Sequence, residues 1–110
     1  MNFSKSIKQL SEDIGTTEKE LYKIFSLFSN SVEEYLAELD RDDYAFLEAH
    51  SHKLKGEAAN LYLSSFEQIF KDIQKYCVEG NQIKIDDLVK VLKVEFHDYK
   101  EFLNTYFVSS

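Results

Sequence analysis

The sequence predicts an all-α fold, namely an antiparallel up-and-down four-helix bundle with a short extra helix at the N-terminus. Two observations support this prediction. The chain of 110 residues contains no proline and only three glycines, whereas an all-β protein of this size needs many tight turns that Gly and Pro normally supply. Apolar side chains also recur every three or four residues through long segments, as in helices buried on one face.

The first two helices are predicted from apolar spacing and from a capping signal. A short helix covers residues 3–14 and ends before Gly15. Its apolar face consists of Ile7, Leu10 and Ile14. The second helix begins at the capping box Thr17-x-x-Glu20, in which side chains and backbone N–H groups satisfy one another. Its apolar face consists of Leu21, Ile24, Phe25, Phe28, Val32, Tyr35, Leu36 and Leu39.

The third helix is predicted from Asp42 to Leu63, and the acidic residues at 40–43 suit its N-terminus electrostatically. With a turn of about 100° per residue, its inward face is centred on Leu54. The inward face consists of Leu47, His50, Leu54, Ala58 and Leu61. The opposite face consists of Ala45, Glu48, His52, Gly56, Ala59 and Leu63. His52 lies roughly 160° from the centre of the inward face and is predicted to project into solvent.

The last two helices are predicted from a second capping box and from a glycine. The box Ser64-x-x-Glu67 opens the fourth helix. Gly80 suits its left-handed stop. After a loop over residues 80–85, Asp86 is expected to cap the fifth helix. The two apolar faces are Phe66, Ile69, Phe70, Ile73 and Tyr76, followed by Leu88, Val89, Leu92, Phe96, Tyr99 and Leu103.

The composition limits the partners and the compartment. A formal net charge of −7 at pH 7 argues against a general nucleic-acid or anionic-membrane surface, because both need clustered positive charge. No apolar segment is long enough to span a bilayer, and the N-terminus lacks the apolar core of a signal peptide. We therefore expect a cytoplasmic protein. We also expect a monomer with a single domain over residues 1–110. Met1 and the full set of helices favour a free-standing domain.

The outward face of the third helix has the features of a reactive site. A mid-helix glycine costs about 1 kcal/mol relative to alanine, so Gly56 needs a reason that packing does not supply. Lys55 lies three residues after His52 and can reach toward its ring. A neutral imidazole is a good nucleophile. An exposed imidazole beside a cation, with no side chain at position 56, suits the acceptance of a bulky anion from another protein.

Residues 49–61, with the sequence AHSHKLKGEAANL, resemble the signature of histidine-containing phosphotransfer (HPt) domains. In that family the motif His-x-Leu-Lys-Gly lies on the surface of a four-helix bundle. The resemblance implies that His52 is phosphorylated, that Lys55 stabilises the phosphoryl group and that Gly56 gives steric access. Two positions depart from the family pattern. Tyr62 stands where many members have Gly, and Glu57 stands where Ser or Ala is common, on a flank away from His52.

The resemblance implies a carrier in a multistep phosphorelay. His52 would exchange a phosphoryl group with the aspartate of a receiver domain, in a response regulator or a hybrid sensor kinase. The receiver supplies the aspartate and the Mg²⁺, so no cofactor is expected in this chain. No Gly-rich phosphate loop is present, so no kinase activity is expected. The docking surface around His52 is expected to include Ala45, Glu48, Ala59 and Leu63.

Two other functions are considered. The chain can be a helical adaptor that binds a signalling partner without phosphotransfer. It can also hold a metal through His50, His52, Cys77 or His97. Two histidines at i and i+2 of a helix point in different directions, however, which makes them a poor pair of ligands. A single cysteine allows neither an internal disulfide nor a multi-cysteine metal site. We expect His50 in the core or at its boundary rather than as a second phosphoacceptor, Cys77 in the core and His97 at the edge of the bundle.

Overall fold

The computed structural model describes residues 3–39 and 43–108, and these residues form five helices and no strand. The helices are α1 (Phe3–Ile14), α2 (Glu18–Ala37), α3 (Tyr44–Asn60), α4 (Ser64–Glu79) and α5 (Gln82–Val108). The prediction of an all-α fold is confirmed. Of the acidic residues expected before α3, Asp43 is the N-cap and accepts from the amides of Ala45 and Phe46, while positions 40–42 lie outside the described residues.

A cluster of aromatic rings fills the centre of the helical bundle. The ring centroids of Phe28, Phe66 and Tyr99 lie 5.4 to 5.8 Å apart in edge-to-face pairs, an arrangement that aromatic quadrupoles favour. The buried hydroxyl of Tyr99 donates to the carbonyl of Phe25 over 2.6 Å. From α1, Phe3 adds a fourth ring 5.5 Å from Tyr99. These contacts join α1, α2, α4 and α5 in one core.

Three predicted helix signals are confirmed. Thr17 is the N-cap of α2, and its hydroxyl accepts from the amide of Glu20 over 3.2 Å. Gly80 ends α4 with a left-handed φ of 65°. Gly15 has a φ of 58° and follows α1. A side chain is strained in this backbone conformation, so both glycines mark the boundaries that the sequence indicated.

Two predicted caps are wrong. Ser64 is the first residue of α4 rather than its cap, and the N-cap position is held by Leu63 without a side-chain hydrogen bond. The fifth helix begins at Gln82 because Asn81 caps it, accepting from the amide of Lys84 over 3.2 Å. Asp86 lies inside α5 and accepts from the side chain of Gln82. In both places a different residue is the N-cap, because a capping pattern in the sequence does not determine where the helix begins.

The C-terminus of α3 forms a Schellman motif, in which the residue after the cap takes a left-handed conformation. Tyr62 is that residue, with a φ of 59°. The amide of Leu63 donates to the carbonyl of Ala58 over 2.9 Å, and that of Tyr62 to Ala59 over 3.1 Å. The predicted end of α3 at Leu63 is therefore corrected to Asn60. The family that the motif resembles often has Gly at this position, and glycine adopts this backbone conformation without strain.

Replacement of Tyr62 by glycine should raise the thermal stability relative to replacement by alanine. Both variants lose the hydrogen bond from the Tyr62 hydroxyl to Asp13, but only Tyr62→Gly removes the left-handed strain. We expect its unfolding midpoint to lie roughly 4 °C above that of Tyr62→Ala. Calorimetric scans of the two variants measure this difference, and equal midpoints would contradict the assignment of strain to position 62.

Candidate functional site

His52 is exposed on α3. The described residues form no hydrogen bond or ion pair with its ring. Four side chains of the helix are buried on the other side: Leu47, Ser51, Leu54 and Ala58. The predicted exposure of His52 is therefore confirmed, and the imidazole is open to a macromolecular partner.

A buried hydrogen bond between α2 and α3 holds the helix in this rotation. The hydroxyls of Tyr35 and Ser51 lie 2.9 Å apart, and Ser51 is 0% exposed. Burial raises the pKa of Tyr35 above its ordinary value, which already keeps the hydroxyl protonated at neutral pH. Since Ser51 directly precedes His52, its burial turns the histidine outward. The burial of Ser51 is not among the features predicted from the sequence, although a small residue beside an apolar stripe is a usable signal for it.

Removal of the Tyr35 hydroxyl should destabilise the protein. In Tyr35→Phe, Ser51 keeps a buried hydroxyl that has lost its partner, and we expect the free energy of unfolding to fall by about 1 kcal/mol. Urea unfolding measures the change. The control is Tyr22→Phe, because Tyr22 is 42% exposed and its hydroxyl remains hydrated; a surface change of this kind is usually within about 0.5 kcal/mol. Equal losses in the two variants would show that the buried pair stabilises nothing.

The surroundings of His52 leave room for another molecule. Gly56 is exposed, and a Cβ atom added there would meet no heavy atom within 4 Å. The absence of a side chain at position 56 is therefore not required by packing against the described residues. Lys55 is half-buried three residues after His52, and residues at this spacing are neighbours on a helix surface. The arrangement offers an accessible nitrogen nucleophile, a nearby cation and open backbone.

Three of the four residues predicted for the docking surface have exposed area on α3. Ala45 is exposed, and Glu48 and Ala59 are half-buried. The fourth prediction is wrong, because Leu63 is 1% exposed and has no surface to offer a partner. It lies beyond the end of α3, where the turn at Tyr62 directs its side chain into the core. A helical wheel extended past the end of its helix no longer describes the direction of a side chain.

The remaining histidines and the cysteine lie apart from this surface. His50 is half-buried, with its ring centroid 4.0 Å from that of Phe46, which agrees with a boundary position. Cys77 is in the core, as predicted, and burial raises the pKa of its thiol to about 11. His97 is exposed, 3.3 Å from Glu101. Within residues 3–39 and 43–108, no three His, Cys, Asp or Glu side chains gather as metal ligands.

Comparison with known proteins identifies one family. The model of the family described as Hpt domain matches residues 23–101, which include most of α2 and all of α3 and α4. Neither the curated proteins nor the solved structures gave a significant match. In the part of the chain that the structure describes, no helix has both the length and the apolar character needed to cross a membrane.

Proposed function

The chain belongs to the Hpt domain family, and from this premise we propose that His52 is its phosphoacceptor in a phosphorelay. Membership implies histidine phosphotransfer in two-component signalling and interaction with receiver domains; the site and the partner for this chain are our proposal. The observation that supports it best is the exposed ring of His52, with an open position at Gly56 four residues further along α3.

The proposed transfer needs no nucleotide. A neutral nitrogen of the His52 imidazole attacks the phosphorus of an aspartyl phosphate on the receiver. The N–P bond forms as the O–P bond breaks, and the electron pair of that bond leaves with the aspartate as a carboxylate. In the reverse direction the carboxylate attacks the phosphohistidine. Each step passes one phosphoryl group between histidine and aspartate, so the proposed role is that of a phosphocarrier and not that of a kinase.

The residues around the ring have distinct proposed roles. The ammonium group of Lys55 offsets part of the phosphoryl charge, and exposure of the ring avoids the desolvation penalty of burying a dianionic product. Gly56 lets the loops of the receiver approach the imidazole. The receiver supplies its aspartate and Mg²⁺, which withdraws charge from the transferring group. Ala45, Glu48 and Ala59 are proposed to contact the receiver.

A rigid bundle suits this role. We infer that α2 to α5 form an antiparallel up-and-down four-helix arrangement, supported by the short connection over residues 61–63 and by the hydrogen bond of 2.8 Å from Ser65 on α4 to Glu95 on α5. The Tyr35–Ser51 bond holds α3 against α2. The domain is proposed to work as a monomer in the cytoplasm, since the bundle buries its own apolar faces.

A transfer assay tests the proposal. The protein is mixed with a panel of receiver domains that carry radiolabelled aspartyl phosphate, and the label on this chain is followed over time. We expect at least one receiver to pass on label that is acid-labile and alkali-stable, as for a phosphohistidine. Failure of every receiver, with the protein folded, would contradict the carrier function and favour the adaptor.

A further inference from the structure

A cavity of about 250 Å³ opens between α2 and α3. Its walls are mainly apolar, and its lining residues are Ile24, Leu27, Phe28, Ser31, Glu57, Asn60 and Leu61. A water molecule takes about 30 Å³ in the liquid, so the cavity has room for a side chain. Leu27 lies at its rim and is 57% exposed.

Glu57 makes this cavity chemically specific. Its Oε2 atom is buried and has no hydrogen-bond partner among the described residues. The Ser31 hydroxyl, on the opposite wall, donates to the Leu27 carbonyl within α2. No lysine, arginine or histidine is among the lining residues. A carboxylate oxygen removed from water without a donor is costly, so a cationic side chain is the chemically complementary occupant.

The cavity and His52 lie on different sides of α3. Glu57 follows His52 by five residues, a displacement of about 7.5 Å along the helix axis and of roughly 140° around it. It lies on the flank of α3 that faces α2, next to Gly56. A protein bound at His52 therefore reaches the opening of the cavity only if it contacts α2 as well as α3, and an interface of about 800 Å² per partner is wide enough to span both helices.

We propose that Glu57 is a specificity determinant, which binds a lysine or arginine side chain of the receiver inserted between α2 and α3. The aliphatic stem of that side chain packs on Leu27 and Ile24, and its cationic head donates to the Glu57 carboxylate. This inference rests on the proposed function, because the receiver is the partner that docks around His52. Position 57 thereby selects among receivers by charge, while His52 performs the transfer.

The test compares Glu57→Gln with Glu101→Gln, which removes the same charge from an exposed site on α5. The receiver used is the one in the panel that transfers to the wild-type protein fastest. We expect Glu57→Gln to raise the Kd for that receiver about tenfold and to leave the transfer rate at saturating receiver unchanged. Glu101→Gln should change neither quantity. Circular dichroism confirms that both variants fold.

Neutralising the lysines and arginines on the receiver, one at a time, then identifies the occupant. One receiver variant should bind weakly to the wild-type protein yet show no further loss with Glu57→Gln, the signature of a coupled pair. Transfer with equal Kd values for Glu57→Gln and wild type would overturn this inference and leave the proposed function standing. Dimerisation of the free protein that Glu57→Gln abolishes would overturn it too, with a second copy as the occupant. Absence of transfer from every receiver would overturn the proposed function itself.

Discussion

Replacement of His52 by glutamine should abolish phosphotransfer. The amide of glutamine is not a nucleophile toward phosphorus, so His52→Gln cannot form the N–P bond, and we expect the label on the chain to fall below about 1% of the wild-type level. The side chain is exposed and has no partner among the described residues, so the fold should be unaffected. The measurement is the transfer of radiolabel from the active receiver, with thermal unfolding as a check on folding.

The matched control for this prediction is His50→Gln. His50 is two residues away on the same helix, but it is half-buried against Phe46, so its loss should leave the label on the chain. Label that persists on His52→Gln and disappears with His50→Gln would move the phosphoacceptor to the second histidine. Label that persists on both variants would place it elsewhere in the chain.

Replacement of Gly56 by glutamine should raise the stability of the protein and lower its rate of phosphotransfer. The added side chain meets no neighbour within 4 Å of its Cβ position, and a mid-helix glycine is a poor helix former, so the free energy of unfolding should rise by about 0.5 kcal/mol. Transfer should fall roughly 100-fold, because the longer side chain displaces the receiver from its reactive approach to His52. Urea unfolding and the initial rate of transfer measure the two effects.

Gly56→Ala is the control for the prediction on Gly56→Gln. A methyl group brings the full gain in helix stability with little bulk, so the alanine variant should be at least as stable as the glutamine variant and should transfer faster. If both variants transfer at the wild-type rate, the open space above position 56 has no role in access, and its glycine is unexplained by this structure.

The sequence predicted those features that depend on neighbours along one helix. The apolar period placed His52 and Gly56 on the outward face of α3, and the structure agrees. The cap at Thr17 and the left-handed stop at Gly80 are also confirmed. Each of these follows from a few consecutive residues, since helix geometry fixes which side chains share a face and backbone strain selects glycine at a stop.

The predictions that are wrong concern residues at or near the ends of helices. The period of α3, continued past its end, predicts Leu63 on the outward face, but the left-handed turn at Tyr62 ends that period and Leu63 is buried. The caps predicted at Ser64 and Asp86 were displaced to Leu63 and Asn81. A capping pattern shows only that a residue is able to cap a helix. The packing of the whole chain determines where the helix begins.

The order of the amino acids is thus enough to predict the helical class, the family motif and the direction of the His52 side chain. It does not predict that Ser51 is held by Tyr35, that Leu63 belongs to the core or that a Glu57 oxygen lies unpartnered beside a cavity, all of which depend on how the helices pack. The physical reason is the range of the interactions. A face is defined by the repeat of one helix, whereas burial, pairing and cavities depend on which residues of another helix come to lie opposite.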